Sequence, residues 1–210
     1  MTERKEAIVG SMFSGKTAEI IEQVTRHEIA GRKVQVFKPI IDDRWDLRDK
    51  IRSHAGAEHD ATSVEDSLGI LENLEDGTEV VAIDEAQFFD DKWIVDVVLE
   101  LSDRDIIVIF AGLPEDFRGE IFGPMGKLLP HADAVDRLEA ICDYEEDGKV
   151  CGDPATKTQR FVNGEVADYN DPIVLIGEKE SYAARCPNHH KVRDKPKRNL
   201  EREDHEVPKD

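Results

Sequence analysis

The segment "GSMFSGKT", residues 10–17, most constrains what this 210-residue chain can fold into. It has the spacing of a phosphate-binding loop, in which a glycine and four further residues precede Gly-Lys-Thr. The glycines let backbone N–H groups approach phosphate oxygens, Lys16 supplies a cation, and the Thr17 hydroxyl reaches a magnesium ion. We therefore expect the nucleotide phosphates to be bound by Gly10, Ser11, Met12, Phe13, Ser14, Gly15, Lys16 and Thr17.

Two adjacent carboxylates, Asp84 and Glu85, follow four apolar residues in the segment "VVAIDEAQFF". Side chains on a strand alternate between faces, so the two carboxylates should diverge and serve different partners. In a phosphate-loop fold, the carboxylate that ends a later parallel strand binds magnesium, usually through water, and Asp84 fits that role. Glu85 then faces the acceptor as a general base. A solvated strand end is the alternative explanation.

Strands alternate with helices along most of the chain, which predicts a parallel α/β sheet. The segments "KEAIVG", "KVQVFKP", "VVAI" and "DIIVIFAGL" favour strands, and the last has the β-branched run of a strand covered on both faces. Helices are predicted in "AEIIEQVTRHEIAG", where Ile21, Val24 and Ile29 suit one buried face, in "VEDSLGILENL" and in the segment after residue 90. We expect a P-loop (RecA-like) sheet with flanking helices, formed by residues 1–140.

Three further segments have distinct compositions. Residues 40–63 are charged and weakly periodic, which predicts a functional or mobile loop. Residues 141–190 are rich in turn residues and carry all the cysteines, which predicts a small second lobe. Residues 191–210 are nearly devoid of apolar side chains, which predicts a disordered tail.

The cysteines suggest a metal site made of two ligand pairs, Cys142 with Cys151 and Cys186 with His189. The second pair, in "CPNHH", has the C-x-x-H spacing of a zinc knuckle, and four such ligands close a tetrahedral structural site. The first pair is unusual, because its cysteines lie nine positions apart. The choice between His189 and His190 as the fourth ligand stays open. Three ordinary thiols are the alternative, whereas an odd number of cysteines argues against a disulfide framework.

The net charge of −19 is spread along the chain, which argues against binding to a long nucleic acid. No window has the roughly 18 apolar residues of a membrane span, and "MTERKEAIVG" lacks a signal-peptide apolar region. We expect a cytoplasmic protein with no membrane partner. The distributed acidic residues resemble those of proteins from salt-accumulating halophiles, and an acidic mesophilic protein is the alternative.

With these motifs assembled, the chain resembles the type II thymidine kinases, a family of tetrameric, zinc-containing enzymes, from residue 7 to about residue 190. "GSMFSGKT" resembles the family's phosphate loop, and "IDEAQFF" resembles its magnesium and base motif. "GLPEDFRGEIFGPMGKLLPHADAVDRLEAIC" resembles the family's leucine, its two phenylalanines and the strand that leads to the first zinc cysteine. "ATKTQR" and "LIGEKESYAARC" resemble the segments that close over the nucleoside, called a lasso loop.

The resemblance implies a role for each matching residue. Glu85 is the implied base, Asp84 and Thr17 are the implied magnesium ligands, and Gln87 belongs to the phosphate motif. Asp42 and Arg44, in "IDDRW", match residues near the transferred phosphate and the sugar. The implied nucleoside pocket consists of Met12, Phe88, Leu113, Phe117, Phe122, Thr158, Leu175, Ile176, Gly177 and Tyr182. Core packing is the alternative for the apolar members of this set.

Three departures from the family pattern stand out. "CDYEEDGKVC" replaces the usual C-x-x-C and resembles an insertion that lengthens a knuckle while keeping both ligands. Glu178 stands where a second glycine is common, and "GLPED" departs from the usual acidic turn. None of these changes falls on the phosphate loop or on the two carboxylates.

The resemblance implies an enzyme that phosphorylates the 5′-hydroxyl of thymidine, and of deoxyuridine, with magnesium-ATP. It further implies structural zinc, a homotetramer and feedback inhibition by thymidine triphosphate, and the composition adds a halophilic archaeal origin. Two other readings are a nucleotide-regulated P-loop protein with a zinc lobe that docks a partner, and a nucleic-acid knuckle, which the negative charge disfavours.

Overall fold

A computed structural model describes residues 4–40, 50–173 and 180–197 of the chain. In chain order, the strands of these residues are β1 (Lys5–Gly10), β2 (Val34–Pro39), β3 (Lys50–Arg52), β4 (Glu58–Asp60), β5 (Thr62–Val64), β6 (Val80–Ile83), β7 (Ile107–Gly112), β8 (Ala134–Leu138), β9 (Ala140–Ile141), β10 (Glu145–Glu146), β11 (Lys149–Val150), β12 (Pro154–Ala155), β13 (Lys157–Val162), β14 (Glu165–Val166) and β15 (Glu180–Arg185). The helices are α1 (Lys16–Ile29), α2 (Leu68–Glu72), α3 (Ile94–Asp103) and α4 (Met125–Leu128).

Six strands form the central sheet in the order β5-β2-β6-β7-β1-β8, and every pairing between them is parallel. The predicted P-loop α/β fold is therefore confirmed. The carboxyl ends of parallel strands meet at one edge of a sheet. Since β7 alone separates β1 from β6, the loop after β1 and the residues after β6 face the same crevice.

Helices cover both faces of the sheet. Since side chains of a strand alternate between the faces, alternate residues of a central strand belong to different cores. In β7, Val108 and Phe110 belong to a core that includes Val97 of α3, while Ile109 belongs to a second core with Ile20 of α1. Burial on both faces explains why β6 and β7 read as unbroken apolar runs.

The structure differs from three sequence predictions about these elements. Ile29 was assigned to the buried face of α1, but it is 82% exposed at the helix C-terminus. The helix predicted from "VEDSLGILENL" is only the five residues of α2, because Val64 pairs in β5 instead. The part of the predicted loop that is described contains the β3–β4 hairpin and β5, an edge strand of the sheet.

The residues after β9 form small antiparallel sheets, and β13 lies between β14 and β15. Lys191 and Arg193, which follow His190, also contact this region. The backbone N–H of Lys191 donates to Gln159 Oε1 over 2.9 Å, and Arg193 and Ala167 are joined by a backbone hydrogen bond. The domain boundaries drawn from the sequence stay predictions. None of the helices described here is both long and apolar enough to span a membrane.

Candidate active site

The phosphate loop joins β1 directly to the N-terminus of α1. Gly15 adopts a left-handed conformation, φ 90°, immediately before the helix starts at Lys16. Gly10 has no room for a side chain, because a Cβ there would lie 2.4 Å from the carbonyl oxygen of Leu138. The first N–H groups of a helix have no partners within it, so the loop presents donors to an anion. Lys16 Nζ donates a hydrogen bond to the Ser11 carbonyl over 2.9 Å.

A cavity of about 580 Å³ opens beside this loop. Its walls bring together the loop and the two carboxylates that the sequence singled out. They also include two residues of the implied nucleoside pocket beyond the loop itself. The predicted residues in the walls are Met12, Phe13, Gly15, Lys16, Thr17, Asp84, Glu85, Leu113 and Tyr182.

The two carboxylates reach the cavity by a backbone turn and not by the strand alternation expected from the sequence. Strand β6 ends at Ile83, and Glu85 is left-handed, with φ 52° and ψ 38°. Asp84 is buried, and its Oδ1 accepts a hydrogen bond from the backbone N–H of Glu85 over 2.9 Å. A left-handed conformation is uncommon for a residue with a side chain, and such residues cluster at functional sites.

The turn after Glu85 also positions Gln87, whose side chain is buried. The Gln87 amide donates to Glu85 Oε2 and accepts a hydrogen bond from the backbone N–H of Leu113 over 3.0 Å. The sequence placed Gln87 among the phosphate-binding residues. That role stays a prediction, and the structure provides the amide with these two partners.

Three phenylalanines of the implied nucleoside pocket make contacts with other aromatic or cationic side chains. The rings of Phe88 and Phe122 meet edge to face with centroids 5.4 Å apart. The guanidinium of the buried Arg160 lies 4.9 Å from the ring centre of Phe117. Among the described residues, the cavity walls include neither these three phenylalanines nor Thr158. Their contact with a nucleoside stays a prediction.

The cavity is also lined by residues of the β3–β4 hairpin that no sequence pattern indicated. They are Lys50, Ile51, Arg52, Ser53, His54 and Ala55. The imidazole of His54 packs against Phe13 of the phosphate loop, with ring centroids 4.9 Å apart. Lys38, at the end of β2, lines the same cavity and is 4% exposed. The sequence signal available for Lys38 was its position, a lysine at the carboxyl end of the predicted apolar strand "KVQVFKP".

Five predicted residues fall outside the described part of the chain: Asp42, Arg44, Leu175, Ile176 and Gly177. Three others in the phosphate loop, Gly10, Ser11 and Ser14, are described but do not line the cavity. Ser11 is buried, and its hydroxyl donates to the carbonyl oxygen of Ala155 over 2.9 Å.

The predicted metal ligands lie together in the small lobe. The ligand atoms of Cys142, Cys151, Cys186 and His189 are all within 4.8 Å of one another. His189 Nδ1 is 3.6 Å from the sulfur of Cys142 and 3.4 Å from that of Cys186. Bonds of about 2.3 Å to sulfur and about 2.1 Å to nitrogen at a tetrahedral angle put these atoms about 3.6 Å apart. The group therefore has the size and chemistry of a structural zinc site.

The long spacing of the first cysteine pair is explained by a hairpin. Strands β10 and β11 pair in antiparallel fashion around a turn in which Asp147 and Gly148 have φ of 51° and 74°. The backbone N–H of Cys151 donates to the Tyr144 carbonyl over 2.8 Å. The inserted residues thus form a hairpin that projects from the cluster, and both cysteine ligands stay in place. This turn had a sequence signal, because Asp-Gly favours two-residue hairpin turns.

The thiols of this cluster have unequal acidities in the absence of a metal. Burial opposes ionisation of Cys142, but hydrogen bonds from the backbone of Cys186 and Tyr144 and from His189 outweigh it and lower its pKa to about 6. The backbone N–H of Asp153 favours the Cys151 thiolate, but burial and the nearby cysteine sulfurs outweigh it and raise its pKa to about 11. One thiolate is therefore favoured and further negative charge is resisted, as expected where a cation belongs.

The structure answers which histidine joins the cluster. His190 Nε2 bonds to the carbonyl oxygen of Phe117 over 2.9 Å, away from the cysteines. Burial is the main cause that lowers the pKa of His190 below its usual value, so the ring is neutral and donates from Nε2. His189 instead stacks on Tyr144, with ring centroids 4.2 Å apart, and faces the sulfurs through Nδ1.

Together, the parallel sheet, the Gly-Lys-Thr loop at the start of a helix and the carboxylates beside it define a P-loop protein of the α/β class. A family model described as thymidine kinase matches residues 5–190. The chain therefore belongs to the thymidine kinase family and is an enzyme of that class. This match disfavours both the nucleotide-regulated docking protein and the nucleic-acid knuckle.

Proposed function

We propose that the chain transfers the γ-phosphoryl group of ATP to the 5′-hydroxyl of thymidine, and also accepts deoxyuridine. The observation that carries the proposal is the single cavity that joins Lys16 and Thr17 to Asp84 and Glu85. Phosphoryl transfer needs a phosphate cradle, a metal holder and a proton acceptor within a few ångströms of each other. These four side chains supply all three.

Each side chain has a part in an in-line transfer. Lys16 offsets the negative charge of the β- and γ-phosphates, and the phosphate-loop N–H groups hold the oxygens in place. Thr17 and Asp84 are oxygen donors suited to magnesium, which neutralises phosphate charge when bound. Glu85 accepts the 5′-hydroxyl proton while that oxygen bonds to the γ-phosphorus and the bond to the β-phosphate oxygen breaks. The products are thymidine monophosphate and ADP.

We infer the metal, the oligomeric state, the regulation and the location from the family and from the composition. The Cys142, Cys151, Cys186 and His189 cluster holds structural zinc, and the chain assembles as a homotetramer. Thymidine triphosphate inhibits the enzyme by feedback. The protein works in the cytoplasm of a salt-accumulating archaeon, and neither a membrane nor a long nucleic acid is a partner.

The test is ADP production that depends on added nucleoside. Purified protein is incubated with magnesium-ATP and a panel of thymidine, deoxyuridine, deoxycytidine and deoxyadenosine, at 0.1 M and 2 M potassium chloride. Thymidine should stimulate ADP release more than deoxycytidine or deoxyadenosine does. A chain that hydrolyses ATP at the same rate with and without thymidine is not the kinase proposed here.

A further inference from the structure

The side chain of Gln87 bridges the proposed base and the neighbouring strand end. Its Nε2 donates to Glu85 Oε2, and its Oε1 accepts a hydrogen bond from the backbone N–H of Leu113, 3.0 Å away. Leu113 directly follows β7, and both Glu85 and Leu113 line the cavity. The amide thus lies between two walls of the same site.

The orientation of this amide is set by its partners. The Leu113 N–H is only a donor, so the amide oxygen of Gln87 must face it. The NH₂ group must then face Glu85, where a carboxylate oxygen accepts. Gln87 is 1% exposed, so water does not compete for either bond.

The surrounding chain leaves space for the amide and for little else. A Cβ on Gly112 would lie 2.7 Å from Gln87 Oε1 and 3.0 Å from Met125 Sδ. A Cβ on Gly123, where φ is 49°, would lie 2.1 Å from the Gln87 carbonyl oxygen. Glycine at these two positions therefore lets the turn that carries Gln87 pack against the end of β7.

We propose that Gln87 is a positioning residue that orients the Glu85 carboxylate for proton transfer. Glu85 has an uncommon left-handed backbone, which persists only where surrounding contacts fix it, and the hydrogen bond from Gln87 is one such contact. The hydrogen bond from Gln87 to Oε2 fixes the orientation of the carboxylate that accepts the proton of the substrate hydroxyl. This inference rests on the proposed function, because it gives Glu85 the role of base. It assigns Gln87 a task different from phosphate binding.

Two substitutions of similar length separate orientation from structural support. Gln87→Glu keeps an acceptor for the Leu113 N–H but loses the donor toward Glu85 and sets a second carboxylate against it. Gln87→Met loses both the acceptor and the donor. We expect kcat to fall by about 10- to 100-fold in each variant, the effect of losing a hydrogen bond to a charged group, while KM for thymidine and for ATP changes less than about 3-fold. The melting temperature should fall in both variants, because Gln87→Glu buries a second carboxylate beside Glu85 and Gln87→Met leaves the Leu113 N–H unpaired, so kcat is measured well below the lower midpoint.

A double-mutant cycle with Glu85→Gln shows whether Gln87 acts through Glu85. In the Glu85→Gln background, adding Gln87→Glu should change kcat by less than about 2-fold. An undiminished effect of Gln87→Glu in that background overturns the proposal. So does an unchanged kcat in the single variant, or a raised KM for ATP with kcat unchanged, which indicates phosphate binding. If Glu85→Gln itself keeps near-normal activity, the base assignment has failed instead, and the two failures are distinguishable.

A third arm moves the amide without replacing it. Gly112→Ala places a methyl group against Gln87 Oε1, and Gly126→Ala is the matched control. A Cβ on Gly126 would lie 2.8 Å from the Cγ2 of Ile121, an exposed side chain that can move aside. We expect kcat to fall in Gly112→Ala and to stay near the parent value in Gly126→Ala. Equal kcat in the two variants counts against the proposal.

Discussion

The Thr158 hydroxyl accepts a hydrogen bond from the backbone N–H of Met12 over 3.0 Å. The strand β13 of the small lobe is thereby bonded to the phosphate loop of the central sheet. A second bond, from the Ser11 hydroxyl to the Ala155 carbonyl, runs in parallel with the first over 2.9 Å. The conformation of the phosphate loop therefore depends on the small lobe, although the two are separated by more than a hundred residues of sequence.

This link predicts that Thr158→Val weakens nucleotide binding. Valine keeps the shape of threonine but cannot accept the bond, so Met12 loses a fixed partner and the loop gains freedom. We expect the Kd for magnesium-ADP to rise about 3- to 10-fold, corresponding to a net hydrogen bond of about 1 kcal/mol. Titration calorimetry measures it. Thr156→Val makes the same chemical change at an exposed position two residues away and should leave the Kd unaltered.

The cysteine cluster predicts about one zinc per purified chain. His189→Gln and Cys186→Ser should each lose the metal, whereas His190→Gln should keep it, because His190 bonds to Phe117 instead. Metal analysis after dialysis decides the outcome. Active protein that carries no zinc, or zinc lost from His190→Gln but retained in His189→Gln, contradicts the ligand set.

Zinc uptake should also release protons and tighten as pH rises. The pKa of Cys151 is raised to about 11, so at neutral pH its thiol is protonated and must lose the proton to bind zinc. When zinc is added to apo protein in a weakly buffered indicator solution, the pH of the solution should fall. The apparent affinity should increase from pH 6 to pH 8, while an affinity that is flat over this range argues against a thiolate site.

The sequence predicted the elements whose burial or glycine spacing leaves a recognisable pattern. Strand β7, helix α3 and the phosphate loop follow from apolar periodicity and glycine spacing, which record burial directly. The turn at Glu85 could not be predicted, because a glutamate in the left-handed region carries no residue signature. The β3–β4 hairpin could not be predicted, because its strands have three residues each, too few to show an alternation of apolar and polar side chains.

The same distinction applies to the metal site. Spacing identified Cys186 and its partner, but the choice of histidine depends on where each imidazole points after a turn. His189 and His190 both donate their backbone N–H to the Cys186 carbonyl over 3.1 Å. Only the packing of Tyr144 on one ring and Phe117 near the other separates their roles. Those contacts span more than forty positions in the sequence.

The acidic surface predicts that salt stabilises the fold. The chain has 47 acidic and 28 basic side chains, so repulsion outweighs the attraction in exposed ion pairs such as Lys33 with Glu75. Each such pair contributes about 0–1 kcal/mol, and screening it costs little. Molar salt shortens the Debye length to about 3 Å and removes most of the repulsion. Thermal melts in 0.1 M and 2 M potassium chloride should show a higher midpoint at high salt, and an unchanged midpoint favours the mesophilic alternative.

The two carboxylates after β6 predict variants that fail in different ways. Glu85→Gln keeps the shape of the side chain and removes the base, so kcat should fall about 10²- to 10⁴-fold while the Kd for ATP changes little. Asp84→Asn instead weakens the hold on magnesium, because a neutral amide replaces a carboxylate ligand. Raising the magnesium concentration should therefore recover part of the activity of Asp84→Asn and none of that of Glu85→Gln. Steady-state thymidine phosphorylation across a magnesium series separates the two, and equal recovery in both variants contradicts this division of roles.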